Sequence, residues 1–282
     1  MTLLDVLNAS ADYLGKHRVP SPKLQAELLL AHLLGLPRLH LYLQFDRPMM
    51  KEELDQLRPL LRRRAAREPL QHLIGTVDFY GLSLAVSPSA LIPRPETESL
   101  IAMVLKALPA DRPINVVDVG TGSGAIALVL AQSRPLARVI GIDTSPEALT
   151  LAEHNRARLG LTNVSFQCGD LLECWTDPVD WIVANLPYLT DAEMAALEPE
   201  VTKEPILALS GGPDGLNLIR RLVPQAARLA PNLALETGIH HGPSVSQLLH
   251  DAGYPHVEIL PDLTGRNRFA LGTAAPLPST SP

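Results

Sequence analysis

The tetrapeptide Asn185-Leu186-Pro187-Tyr188 directly follows the apolar run Trp181-Ile182-Val183-Ala184, which reads as a buried strand. The amide oxygen of Asn185 and the backbone carbonyl of Leu186 are two acceptors that can hold both hydrogens of one NH2 group. Pro187 restricts the backbone around that carbonyl and turns it outward. Tyr188 offers a flat face on which a planar group can stack. A nitrogen conjugated to a π system is a poor nucleophile, and gripping both its hydrogens favours a pyramidal geometry that frees the lone pair. Residues 185–188 therefore suit catalysis at, and binding of, an amide or arylamine NH2. A buried asparagine that merely caps a turn is the structural alternative.

A second constellation lies upstream. The run Asp118-Val119-Gly120-Thr121-Gly122-Ser123-Gly124 joins a strand-like segment to a helical one. Glycines there permit a sharp turn and let a ligand touch backbone, and the following helix offers unpaired N–H groups. Asp143 ends the next strand, where a carboxylate can accept hydrogen bonds from both hydroxyls of a ribose. Together they point to a nucleoside-containing cofactor. The looser dinucleotide fingerprint also fits GTGSGA, which keeps an NAD-linked oxidoreductase open. The tighter G-x-G-x-G spacing after Asp118 looks more like the first motif of S-adenosylmethionine-dependent methyltransferases. In such enzymes the place of Asp170, with Leu171 beside it, commonly binds adenine; a plain strand-ending turn is the rival reading. The expected cofactor-binding set is Gly120, Thr121, Gly122, Ser123, Gly124, Asp143, Asp170, Leu171 and Asn185.

These loops need a sheet to hold them. After residue 113, short apolar runs alternate with helical stretches, which argues for a mainly parallel sheet covered on both faces. The segments PHVEILPDLTG and RNRFALGTA close the chain as a hairpin, giving that sheet an antiparallel edge. The fold class expected is α/β: a Rossmann-like doubly wound sheet with an antiparallel C-terminal edge, preceded by a small all-helical domain. Leu3, Leu4, Val6, Leu7 and Leu14 recur at helical spacing, and Ser21-Pro22 reads as the N-cap and first turn of a second helix. Pro59 is expected to interrupt or kink a third. From Gln71 to Pro93 the pattern alternates around Tyr80-Gly81, which predicts a hairpin. The expected domains are 1–72 helical, 73–95 hairpin and linker, 96–274 cofactor-binding, and a disordered tail at 275–282.

Composition excludes several classes. The 282 residues carry a formal net charge of -6, against a protein whose affinity comes from gripping nucleic-acid phosphates. Arg62-Arg63-Arg64 and Arg67 could face an acidic partner or form a solvated helix face. Cys168 and Cys174 have no metal-site or disulfide spacing, and two reduced thiols suit a cytoplasmic protein. No apolar run approaches the roughly 20 residues that a membrane span requires. His240-His241 invites a general-base role, but no ligand-spaced cluster accompanies the pair.

Four segments, IPRPETE at 92–98, DVGTGSG, N-L-P-Y and EPILALSGGPDGL at 204–216, resemble the release-factor glutamine methyltransferases across nearly the whole chain. The resemblance implies a class I methyltransferase fold and S-adenosylmethionine as cofactor. It also implies methylation of the side-chain amide nitrogen of the glutamine in the Gly-Gly-Gln motif of class I peptide-chain release factors. The N-terminal domain would help hold that partner, and Asn185, Leu186, Pro187 and Tyr188 would hold the glutamine, with no metal. The family usually reads Asn-Pro-Pro-Tyr, so Leu186 is a departure. Asn-Leu-Pro-Tyr is also similar to the motif of ribosomal-RNA adenine dimethyltransferases, leaving N6-adenine methylation as an alternative. A related enzyme acting on a ribosomal-protein glutamine and a non-catalytic cofactor-sensing adaptor are further alternatives. The loop LSGGPDGLN either closes over the substrate or caps the next helix.

Overall fold

Apolar residues of the first helix fall largely on one face, whereas those of the second surround it. The computed structural model describes residues 1–173 and 175–276; Cys174 and residues 277–282, most of the expected disordered tail, lie outside the described residues. Helix Leu3–Lys16 buries Leu3, Val6, Leu7, Ser10 and Leu14, and a capping box between Thr2 and Asp5 closes its first turn. Helices Pro22–Leu34 and Lys51–Ala65 pack with it around Leu29, Leu30, Leu41 and Leu57. Ser21 sits before Pro22 as expected, but its backbone is left-handed (φ 47°) and its side chain makes no capping bond. Pro59 does not interrupt its helix, which is anchored by buried Leu57 and Arg64 on either side of it. The front of the stretch read as alternating is instead the short helix Leu70–Ile74, because Leu70 and Leu73 bury at helical spacing.

The chain divides into two compact units, residues 1–76 with 198–203, and residues 77–197 with the chain from 204 onward. The second unit opens in the hairpin of β1 (Thr76–Phe79) and β2 (Leu82–Ala85). Tyr80 and Gly81 both have positive φ, the signature of a type I′ turn. The next helix begins inside the proline-rich segment, at Pro95, and runs to Ala107.

The central sheet contains β3 (Ile114–Val119), β4 (Ala137–Asp143), β5 (Val164–Cys168) and β6 (Trp181–Asn185). A short strand β7 (Leu189–Thr190) pairs with β8 (Ser210–Gly212) in a separate ribbon. The sheet is completed by β9 (Asn232–Glu236), β10 (His256–Pro261) and β11 (Asn267–Thr273). Its order is β10-β11-β9-β6-β3-β4-β5. The five inner and β5-side strands are parallel, while β11 runs antiparallel to both β9 and β10. The expected mainly parallel sheet with an antiparallel C-terminal edge is what the chain forms.

From β3 the chain winds outward through β4 and β5, then returns to place β6 on the other side of β3. Ligands of open parallel sheets bind in the crevice at such a reversal, outside the carboxyl ends of the strands. Val119 lies in register with Ala184, so the glycine loop after β3 and Asn185 at the end of β6 emerge side by side.

Within the arginine run, Arg63, Arg64 and Arg67 are paired inside the chain, while Arg62 is exposed. Arg64 is 3% exposed and donates to Glu200 Oε1 at 2.7 Å, to Gln25 Oε1 and to the carbonyl of Glu68. Arg67 grips both oxygens of the same Glu200, and Arg63 pairs with Glu68. A buried guanidinium needs such a partner, which explains why residues 198–203 belong to the helical unit. Burial pushes the Glu200 carboxyl upward, but the bonds from Arg67 and Arg64 outweigh it and hold it at about 2. A carboxylate depressed from about 4.5 stabilises the fold fully above that value and loses the contribution as pH falls toward 2. Glu200→Gln should therefore lower the urea midpoint at pH 7, and the gap from wild type should shrink between pH 5 and pH 2. A gap that stays constant over that interval would contradict the assignment.

Candidate active site

At the reversal point lies a cavity of about 300 Å³, lined by Gly120, Thr121, Gly122, Ser123, Asp143, Asp170, Leu171, Asn185, Leu186 and Pro187. Ser89, Ala90, Leu91, Pro93 and Arg94 with Thr97, and the loop residues Pro205, Leu207 and Ala208, form further walls. The glycine loop, Asp143, Asp170 and the first three residues of the tetrapeptide thus meet in one space. Gly124 opens the helix Ala125–Ser133 behind the loop. Tyr188 is not among the lining residues.

Each strand end is held by a hydrogen bond that fixes one side of the cavity. Asp143 accepts from the Gly122 N–H through Oδ2 at 2.8 Å and from the Ser145 N–H through Oδ1 at 2.9 Å. A carboxylate oxygen has two lone pairs, so each retains one for a ligand hydroxyl. Asp118 is wholly buried; its Oδ2 accepts from Thr121 Oγ1 at 2.6 Å and from the Ala127 N–H, while burial pushes its carboxyl up to about 7. Asn155, 1% exposed, bonds both the N–H and the carbonyl of Ala85 and the carbonyl of Ser123, stitching β2 to the glycine loop.

Gly120 has φ +74°, and a Cβ there would lie 2.9 Å from Leu186 Cδ2. Leu186 is 3% exposed, so the residue that departs from the usual proline is packed against the glycine loop. Asn185 donates through Nδ2 to Thr97 Oγ1 at 3.0 Å; among the described residues nothing donates to its Oδ1. Thr97 donates in turn to Glu236 Oε2 at 2.6 Å, and Tyr188 OH donates to Glu236 Oε1 at 3.2 Å. Burial raises the Glu236 carboxyl, against the opposing bonds from Thr97 and Tyr188 and the charge of Arg268. Burial likewise raises the Tyr188 phenol, with Glu236 adding to the shift. The phenol expected to stack on a planar ligand is therefore committed at its hydroxyl.

The proline-rich segment is fixed by Glu204, 5% exposed, which accepts from the Ile92 N–H at 2.9 Å and from Arg94 at 2.6 Å. The loop that follows Glu204 is braced by contacts within the chain. Its Ser210–Gly212 strand pairs with Leu189–Thr190, and Asp214 accepts from the Leu216 N–H and from Arg220 at the start of helix Asn217–Leu229. A Cβ at Gly215 would lie 2.2 Å from the Tyr188 carbonyl. Asp170, expected near adenine, lines the cavity but also accepts from Arg221 at 2.7 Å. His241 accepts from the Gly238 N–H at its Nδ1, and neither His240 nor His241 lines the cavity.

Sequence reasoning missed Thr97, Asn155, Glu204 and Glu236. Glu236 had a signal, an acid ending an apolar strand just as Asp143 does. Thr97 stood inside a quoted motif without an assigned part.

Residues 5–75 match the PrmC N-terminal domain model, and residues 110–218 match a methyltransferase domain model. A release factor glutamine methyltransferase of Deinococcus radiodurans is 43% identical over 272 residues, covering 95% of this chain and 97% of that one. Another, of Geobacter sulfurreducens, is 41% identical over 276 residues, covering 96% of each. Among solved structures, the catalytic domain of hMettl16 aligns with a TM-score of 0.61 over 77% of this chain and 84% of that one, at 16% identity. A methyltransferase from Pyrococcus furiosus aligns with a TM-score of 0.52 over 77% and 96%, at 17% identity; both share the fold. With relatives matched end to end and the glycine loop, proline-rich segment and Asn-Leu-Pro-Tyr all at one cavity, the chain belongs to the release factor glutamine methyltransferase family.

Proposed function

We propose that the protein transfers a methyl group from S-adenosylmethionine to the side-chain amide nitrogen of the glutamine in the Gly-Gly-Gln motif of class I peptide-chain release factors. The observation that carries this reading is Asn185 at the sheet reversal, its NH2 tied back to Thr97 and its oxygen uncommitted beside the glycine loop. Bound S-adenosylmethionine supplies an electrophilic methyl carbon on a sulfonium. The residues present suit that group: Asp143 keeps a lone pair on each oxygen for the ribose, and the backbone at Gly122 has no side chain closer than Ala90, whose Cβ lies 3.8 Å from where a Gly122 Cβ would stand. Thr121, Ser123, Gly124, Asp170 and Leu171 complete the cofactor side.

Asn185 Oδ1 and the Leu186 carbonyl each accept one hydrogen of the substrate NH2. Oriented acceptors stabilise the positive charge that develops on nitrogen, and they cost no rearrangement when it forms. Pro187 limits the backbone beside that carbonyl. The nitrogen becomes acidic as it is alkylated and releases a proton to solvent, so neither histidine is needed as a base. Neither a metal nor a nucleic acid enters the scheme. The helical domain, residues 1–72, serves to recognise the release factor, and the reaction is assigned to the cytoplasm, where translation terminates. Among the described residues no helix is long and apolar enough to cross a membrane.

Incubation with isotope-labelled S-adenosylmethionine and purified release factors should place one methyl on one glutamine by mass spectrometry. Label in ribosomal RNA, or on a ribosomal-protein glutamine alone, would overturn the substrate assignment. Asn185→Ala should reduce turnover on the order of 100- to 1000-fold, by analogy with losing one oriented group that stabilises developing charge. Cofactor affinity by calorimetry should hardly change in that variant; a parallel collapse of both would show that Asn185 serves the cofactor only. Asp143→Ala should weaken cofactor binding at least about tenfold, since hydrogen bonds to a charged group are removed. Unchanged affinity would take Asp143 out of the cofactor set.

A further inference from the structure

The chain of bonds behind Asn185 has a direction. Glu236 is 1% exposed, and each of its oxygens receives an O–H donor, Thr97 on Oε2 and Tyr188 on Oε1. A hydroxyl has a single hydrogen. Once Thr97, itself 4% exposed, gives that hydrogen to Glu236, its oxygen can only accept from any other neighbour. The neighbour is the side-chain amide of Asn185, which must therefore turn its NH2 toward Thr97. The two ends of an asparagine amide have nearly the same shape, so packing alone does not select between them. Flipped, Asn185 would aim two N–H donors at the substrate NH2, where an acceptor is required.

We infer that Glu236 and Thr97 are positioning residues, which set the polarity of the Asn185 amide so that its oxygen, and not its NH2, faces the substrate. The inference rests on the methyl-transfer reading and deepens it. Arg268 supports the arrangement from β11: its Nη1 lies 3.4 Å from the Tyr188 hydroxyl, while Asp262 fixes its Nε at 3.0 Å. The relay links the proline-rich segment, which carries Thr97, to the end of β9, which carries Glu236, through 139 positions of sequence. It gives IPRPETE a part in the chemistry without contact with the reacting atoms.

Two pairs of nearly isosteric substitutions in the full-length protein separate polarity from packing. Thr97→Val keeps the volume and removes the hydroxyl, whereas Thr97→Ser keeps the hydroxyl and removes a methyl. Thr97→Val should lower kcat for release-factor methylation on the order of 100-fold, the scale of a misplaced catalytic group, while Thr97→Ser retains most of the rate. A packing role predicts the reverse ranking, and that ranking would overturn the inference. Glu236→Gln preserves shape but can donate to Thr97, so it should also lose kcat, with cofactor affinity by calorimetry unchanged; wild-type kcat in this variant would likewise refute it. The side-chain amide protons of Asn185, followed by nuclear magnetic resonance with selective nitrogen labelling, give a readout independent of turnover. They should exchange slowly with solvent in the wild type and faster in Thr97→Val, and equal exchange in the two would count against the relay. If the wild-type protein methylates no release factor, the proposed reaction fails, and the amide exchange alone then decides the orientation.

Discussion

A polar side chain that ends a strand of a buried parallel sheet must find a hydrogen-bond partner close by, because no water is at hand to replace one. Asp118 near the end of β3, Asp143 on β4, Asn185 on β6 and Glu236 on β9 all meet this condition along one edge. Their partners are backbone N–H groups of the glycine loop, a serine amide and the hydroxyls of Thr97, Thr121 and Tyr188. Each pairing fixes a loop that the sheet alone would leave loose. The cavity is shaped by these pairings, and of the four groups Asp143 and Asn185 border it while keeping lone pairs for a ligand.

Leu186 shows how a different residue meets the same requirement. A proline at this position would stiffen the chain through its ring. Leucine instead is held by burial, in a cluster with Val119, Ile142, Leu171 and Leu216, and its methyl group occupies the space left by the missing side chain of Gly120. Rigidity is supplied by packing, and the carbonyl that matters chemically is the same in both residues. A larger residue at Gly120 would press on the tetrapeptide as well as on the loop, so the two motifs are mechanically one unit.

What could be read from the sequence was whatever is written locally. The glycine spacing, Asp143 some twenty positions on, and an amide ending an apolar run are short-range patterns, and all three lie at the cavity. The alternation of strands and helices gave the sheet, and two apolar runs at the C-terminus gave its antiparallel edge. Partnerships between distant residues left no such trace. Arg64 and Arg67 read as a surface run because Glu200 stands 136 and 133 positions away. Thr97 read as one letter of a motif because Glu236 is equally remote. Ser21 was the opposite case: a good capping residue by type, overruled by a left-handed backbone that removes its side chain from the helix end. Leu70–Ile74 could be taken for a strand because five residues are too few to tell the two periodicities apart.

The membership of residues 198–203 in the helical unit has a bearing on biosynthesis. A chain leaving the ribosome presents its first helices long before Glu200 exists, so Arg64 lacks its native carboxylate partner at that stage. Domains ordinarily fold from the N-terminus as they emerge. Here the leading unit reaches its final state only after four strands of the following sheet have been translated, which ties the maturation of the helical unit to that of the sheet-bearing one.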